Sequence, residues 1–249
     1  VPRIAYVNKM DRTGADFMNV VKMLDERLSA NPVLLQLPMG AEDHFEGIID
    51  LVQMKAITYT PDDADGSEPV LSEIPDEMAV EAESARRDLL EAAAEFDDEL
   101  MEKVLEDADV TPEEIMAAVR IGAISTDITP VICGSSFKNK GVQALLDAVI
   151  TYLPSPLEVP PITGEDLTTT EVVTRAADPS APFAGLVFKI VSDPYIGRLA
   201  YMRVYSGRVK KGEQVLDTVS GKTERVGRIV LMHANKREEV DALQAGDIG

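Results

Sequence analysis

The sequence predicts a mixed α/β fold that carries an α+β insert and is followed by an incomplete all-β barrel. Three observations carry that prediction. Two short apolar runs, Ile4-Ala5-Tyr6-Val7 and Thr129-Pro130-Val131-Ile132-Cys133, each end in a small polar loop that leads into a helical pattern. The stretch between them turns strongly acidic, so it reads as an insert within one α/β domain. Beyond Pro160-Pro161 the pattern becomes short, evenly spaced β-type runs with Gly-rich or charged turns.

The elements follow in order. Val20, Val21, Leu24 and Leu28 recur at helical spacing, with Asp16 as the cap and Asn31-Pro32 as the stop. Val33-Leu34-Leu35-Gln36-Leu37-Pro38 predicts one short strand. Residues 45–59, rich in Ile and Val around Gly47, predict two strands of a small antiparallel sheet. Residues 61–76 have the Pro, Asp and Ser content of a loop. Ala85, Leu89, Ala93, Phe96, Leu100 and Val104 predict one long amphipathic helix with an acidic outer face. Thr111-Pro112-Glu113-Glu114 has the form of a capped start with Pro at the first helical position. Residues 141–153 predict a helix with Val142, Leu145, Leu146, Val149 and Ile150 inward. Pro154-Ser155-Pro156 and Pro160-Pro161 predict a stiff linker. Strands are then expected at 183–191, 198–205, 214–217 and 225–232.

Composition narrows the function classes. The chain has 249 residues, room for two domains, and a net charge of −20. Residues 62–114 hold 21 acidic and 3 basic side chains, whereas 181–249 hold 8 acidic and 11 basic, so the two regions suit different partners. No apolar run approaches the ~18 residues of a membrane span. Cys133 is the only cysteine, which excludes an internal disulfide and fits a reducing, cytoplasmic setting; it is expected as a buried strand residue. His44 and His233 have no companions at ligand spacing, so no metal site is expected. The sequence opens Val-Pro-Arg and closes without a polar tail, the look of an internal segment of a longer protein.

The first loop, Asn8-Lys9-Met10-Asp11, has the chemistry to hold a guanine. The Asp11 carboxylate can accept from both N1–H and the exocyclic N2–H₂ of that base. Adenine offers neither donor there and would leave the carboxylate unpaired. The Asn8 amide can bridge the base and a neighbouring loop, and the Lys9 stem can cover the flat face of the base. The second loop, Gly134-Ser135-Ser136, also lies at the C-terminal end of a strand, where open α/β sheets bind ligands. Its small residues let a backbone N–H approach guanine O6, with a Ser hydroxyl to brace the loop.

The phosphate side has no counterpart. A Gly-x-x-x-x-Gly-Lys-Ser/Thr loop is needed at a strand-to-helix turn. Residues 207–212 have the glycine spacing, but Glu213 stands where Lys is required; Gly221-Lys222-Thr223 has the ending, but Leu216 replaces the first Gly. Both are expected as hairpin turns. No catalytic residue and no Mg²⁺ ligand can be assigned.

Asn8-Lys9-Met10-Asp11-Arg12 with Gly14-Ala15-Asp16-Phe17 closely resembles bacterial translation elongation factor G. So do Glu46-Gly47-Ile48-Ile49-Asp50-Leu51, the run from Cys133-Gly134-Ser135-Ser136-Phe137-Lys138 to Asn139-Lys140-Gly141, and Tyr205-Ser206-Gly207. The resemblance runs over the whole chain and includes the acidic insert, which other translational GTPases lack. It implies part of a P-loop GTPase-type sheet: residues 1–30 and 129–153 as the C-terminal half of the GTP-binding domain, 31–128 as the inserted subdomain, 154–180 as the linker and 181–249 as a truncated domain II barrel. Asn8, Lys9, Met10 and Asp11 would form one base loop, and Ser135 and Ser136 the other. Many members have Ala at the position of Ser136.

The resemblance also implies a whole protein, a monomer, that uses GTP with Mg²⁺ to drive transfer RNA and messenger RNA through the ribosome in protein synthesis. This segment, without the phosphate loop and switch regions, is expected to be inactive as a GTPase and is not required to hold GDP itself. Lys210, Lys211, Arg225 and Arg228 could meet ribosomal RNA phosphates. Glu91, Glu95 and Glu102 would face the ribosomal stalk protein. Alternative readings are a related ribosome-recycling GTPase and a non-catalytic ribosome- or stalk-binding module with vestigial nucleotide loops.

Overall fold

The computed structural model describes residues 1–59, 68–166, 169–193, 197–233 and 236–249. They fall into two compact units, Val1–Leu153 and Pro154–Gly249.

The first unit runs β1 (Ala5–Val7), α1 (Phe17–Leu28), β2 (Pro32–Leu34), β3 (Gln36–Met39), a 3₁₀ turn (Glu42–His44), β4 (Gly47–Asp50), β5 (Lys55–Thr58) and β6 (Val70–Ser72). It continues with α2 (Asp76–Ala94), α3 (Asp98–Leu105), α4 (Pro112–Ser125), β7 (Thr129–Cys133) and α5 (Val142–Tyr152). Part of the expected 61–76 loop, residues 61–67, lies outside the described residues.

Strands β1, β7 and β2 form a parallel sheet in that order, with Val131 opposite both Ala5 and Leu34. Strand β7 is central, and every residue from Thr129 to Cys133 is buried, as a strand covered on both faces requires. Strands β3-β4-β5-β6 make a separate antiparallel sheet. The single strand expected over 33–38 is therefore two. Leu35 is the joint: its N–H donates to Val131 O at 2.9 Å, and its carbonyl accepts from Leu51 N–H at 3.0 Å. The first half serves the parallel sheet and the second half the antiparallel one.

Capping explains the helices. The Asp16 carboxylate accepts from Asn19 N–H at 2.9 Å and starts α1; Ser29, in the left-handed region, ends it before Asn31-Pro32 is reached. Thr111 and Glu114 form a reciprocal capping box at α4. The long helix expected over 85–104 is broken. The Asp97 side chain accepts from Leu100 N–H at 2.9 Å, which caps a new helix, α3, and outcompetes continuation of α2. On α5 the buried positions are Ala148 and Tyr152, while Leu146, Val149 and Ile150 are exposed, so the expected inward face is only partly the observed one.

One hydrophobic core joins both sheets and the helices, with Val7, Met10, Ile48, Ile49, Leu89, Ile115, Ile132 and Cys133 among its members. Each large aliphatic side chain among them contributes roughly 1.5–3 kcal/mol on burial. Arg86 of α2 ties the helical layer to the β4–β5 turn by donating to Leu51 O and, at 2.6 Å, to Val52 O.

The second unit is all β: β8 (Ile162–Glu165), β9 (Val172–Arg175), β10 (Ala184–Asp193), β11 (Gly197–Ser206), β12 (Arg208–Lys210), β13 (Gln214–Asp217), β14 (Lys222–Arg225), β15 (Ile229–His233), β16 (Lys236–Val240) and β17 (Ala242–Gln244). They pair antiparallel as β8-β9, β10-β11, β12-β17, β13-β14 and β15-β16, and among the described residues do not close into a barrel. Val204, Val209, Ile229 and Leu243 form the small core. The expected 154–180 linker contains the β8-β9 hairpin, and the strand expected over 225–232 is divided between β14 and β15. The two glycine decoys are turns: Gly207 and Gly212 flank β12, and Gly221 closes the β13–β14 hairpin, all three at positive φ.

Candidate functional site

The loops after β1 and β7 meet because their strands are neighbours in the parallel sheet. Asn8 Oδ1 accepts from Ser136 N–H at 2.9 Å and from Ser136 Oγ–H at 3.0 Å. The same oxygen accepts from Lys9 N–H at 2.8 Å, which sets the turn; Lys9 itself sits at φ 66°. Met10 N–H donates to Gly134 O at 3.1 Å, a second tie between the loops.

Gly134 permits this approach. A Cβ there would lie 2.3 Å from the Tyr6 hydroxyl and 2.4 Å from Lys140 O, too close for any atom. The Tyr6 hydroxyl donates to Lys140 O at 3.2 Å, and burial, with Cys133 and Tyr59 nearby, pushes its pKa up to about 12. The Cys133 thiol, fully buried in β7, is pushed up by burial, as expected for a strand residue without reactivity.

Asp11 is half-buried and sits 3.3 Å from Lys138 Nζ. The Ser135 hydroxyl first, and Lys138 after it, hold its carboxyl below the usual range. Ser135 is fully buried, and its Oγ has no partner within hydrogen-bond geometry. Its influence on Asp11 is therefore that of a nearby dipole rather than of a formed bond. An ionised carboxylate can accept from a ligand edge rich in N–H donors, such as guanine presents.

Asn8 meets Ser136 and Asp11 lies beside Ser135 through their side chains, whereas Lys9 and Met10 join by their backbone. Met10 is 1% exposed and packs in the core, so only its backbone serves the loop. Ser136 N–H is held by Asn8, whereas Phe137 and Lys138 N–H have no acceptor among the described residues.

Sequence reasoning gave no role to Glu42, Tyr59 or Lys140. The Glu42 carboxylate accepts from Gly14 N–H at 2.6 Å, Gly141 N–H donates to the Tyr59 hydroxyl at 2.6 Å, and Lys140 Nζ donates to Phe45 O at 3.1 Å. These contacts join segments far apart in sequence, so no local pattern signals them.

The other candidates are surface groups. Glu91, Glu95 and Glu102 are exposed on α2, at its end, and on α3. In the second unit Lys210, Lys211, Arg225 and Arg228 are exposed, but Lys211 pairs with Glu239 and Arg225 donates to Gly212 O at 3.2 Å. Among the described residues no group of three His, Cys, Asp or Glu could hold a metal ion, and no helix is long and apolar enough to cross a membrane.

Residues 1–155 match the family described as the elongation factor Tu GTP binding domain, and residues 182–249 match elongation factor G domain 2. A crystal structure of a protein from Thermus thermophilus is similar over 100% of this chain at 28% identity, with a TM-score of 0.73. The chain spans only 34% of that protein's length.

Proposed function

The chain belongs to the elongation factor Tu GTP-binding domain family, and from that premise we propose that it is the guanine-reading part of a ribosomal translocase of the elongation factor G type. The observation that carries the proposal is the Asn8–Ser136 bridge, which brings Asp11 and Ser135 to one place from opposite ends of the first unit. The match of residues 182–249 to elongation factor G domain 2 supports the G-type reading, as does the acidic stretch inserted between the two loops.

The base-reading chemistry follows from the chain's own groups. Asp11, kept ionised, accepts N1–H and N2–H₂ of guanine. The Lys9 stem covers one face of the base. A backbone N–H of Phe137 or Lys138 donates to O6, since that of Ser136 is engaged. Ser135 Oγ–H gains a partner when the carboxylate tightens on the base. A bidentate contact of this sort discriminates by roughly 1–3 kcal/mol in nucleic-acid interfaces. GTP bound with Mg²⁺ would supply hydrolysis energy in the whole protein; no residue of this chain is assigned to the metal or the phosphates. In the whole, monomeric protein the acidic insert would meet the ribosomal stalk protein and the second unit ribosomal RNA, with residues 1–30 and 129–153, 31–128, 154–180 and 181–249 as the working division.

Competition binding tests the proposal. The natural full-length protein is loaded with a fluorescent GDP analogue and titrated with GDP, IDP and ADP. GDP should displace it best, IDP less well for want of N2–H₂, and ADP least. Equal displacement by ADP would end the guanine reading.

A further inference from the structure

We infer that Glu42 is a positioning residue for guanine specificity, and that the antiparallel sheet of the insert braces both base loops through one end of its strands; this rests on the guanine reading of Asp11. Glu42 grips the loop of Asp11 at both ends. Its backbone N–H donates to Met10 O at 2.8 Å, and its carboxylate accepts from Gly14 N–H at 2.6 Å. Asp11 lies between those two anchors. A bond from a backbone N–H to a carboxylate is charge-assisted and short, so it fixes position as well as adding stability.

The local structure is built to present this residue. Glu42 holds φ 58°, a conformation that side chains larger than glycine rarely adopt, and Gly40 before it holds φ 74°. A Cβ on Gly40 would lie 2.0 Å from His44 O, so the turn closes only with glycine there. Such backbone strain persists where surrounding contacts over-determine it. Here those contacts are the two bonds to the Asp11 loop.

The same end of the sheet, where Met39, Gly47 and Thr58 lie side by side, holds the second loop. Lys140 Nζ donates to Phe45 O at 3.1 Å, and Gly141 N–H donates to the Tyr59 hydroxyl at 2.6 Å. Glu42 and Phe45 belong to one turn, and Tyr59 follows β5 of that sheet. Both loops thus take their position from one element besides their own strands. Geometry that must be held to a fraction of an ångström needs such outer support.

The test uses Glu42→Ala and Glu42→Gln in the full-length protein, with GDP and IDP dissociation constants and melting temperatures. IDP lacks N2–H₂, so the GDP-to-IDP ratio reads the Asp11 contact alone. Glu42→Ala should weaken GDP about tenfold, the size of one lost charge-assisted bond, and bring the ratio toward one. Glu42→Gln should keep most of both, because its amide oxygen still accepts from Gly14 N–H. A folded Glu42→Ala protein with the parent ratio would overturn the inference, and so would Glu42→Gln failing as badly as Glu42→Ala. If the parent protein itself does not distinguish GDP from IDP, the guanine reading fails first, and the inference with it.

Discussion

Asn8 and Ser136 stand 128 positions apart in sequence, yet one oxygen of Asn8 accepts from both the N–H and the hydroxyl of Ser136. That oxygen holds the two base loops in register. Asn8→Ala removes both bonds between the loops, and the local one from Lys9 N–H, while deleting little buried surface, since Asn8 is exposed. GDP binding should weaken by about 1–3 kcal/mol, the net worth of two hydrogen bonds, with the fold intact. Isothermal titration beside thermal melting checks this; unchanged affinity would mean the loops keep their register without the bridge.

Asp11 should titrate below an ordinary aspartate. The sign follows from the lowered folded value: the stabilisation is present above the unfolded pKa of about 3.9 and is lost as pH falls through the folded pKa. Ser135→Ala and then Lys138→Met should each bring the Asp11 pKa up, because those groups lower it in that order. Carboxyl NMR titration measures it directly. A value that ignores both substitutions would separate Asp11 from its two neighbours.

Met10 belongs to the motif by position but to the core by packing. Met10→Ala should cost about 2–5 kcal/mol of stability, as buried Met truncations do. The GDP-to-ADP preference of the protein that remains folded should not change. Denaturant unfolding and competition binding separate the two; lost preference without lost stability would put the side chain in the base site.

Much of this was legible in sequence where the signal is local. The apolar runs before Asn8 and before Gly134 are strands, and Asp16 and Thr111 cap helices, because buried runs and caps are written in neighbouring residues. Features decided by distant contacts were not legible. The periodicity from Ala85 to Val104 runs through the break between α2 and α3, since Phe96 and Leu100 keep the spacing while Asp97 caps a new start. Leu35 divides one apparent strand because two different sheets claim its halves. Met10 carries no sign of burial in a loop motif, and the engagement of Ser136 N–H depends on the rotamer of Asn8.

The acidic insert should act through charge at long range. Glu91, Glu95 and Glu102 are exposed, within a stretch of 21 acidic and 3 basic residues over 62–114 that would repel RNA phosphates and attract a basic protein surface. Reversing the three should slow association with the ribosome, more at low salt than at high, since screening acts over about 8–10 Å. Stopped-flow association at several salt concentrations measures this. An unchanged on-rate at low salt would reduce the acidity to a solubility feature.

The most direct test of the central claim is Asp11→Asn in the natural full-length protein, with GDP and XDP in competition. On the proposed reading the Asp11 carboxylate accepts two hydrogens from guanine, whereas an amide accepts one and donates to the oxygen that xanthine carries in place of the amino group. The variant should lose GDP affinity by at least about tenfold, one bidentate contact's worth, and should prefer XDP. If GDP still wins over XDP by the parent's margin, Asp11 does not read the base.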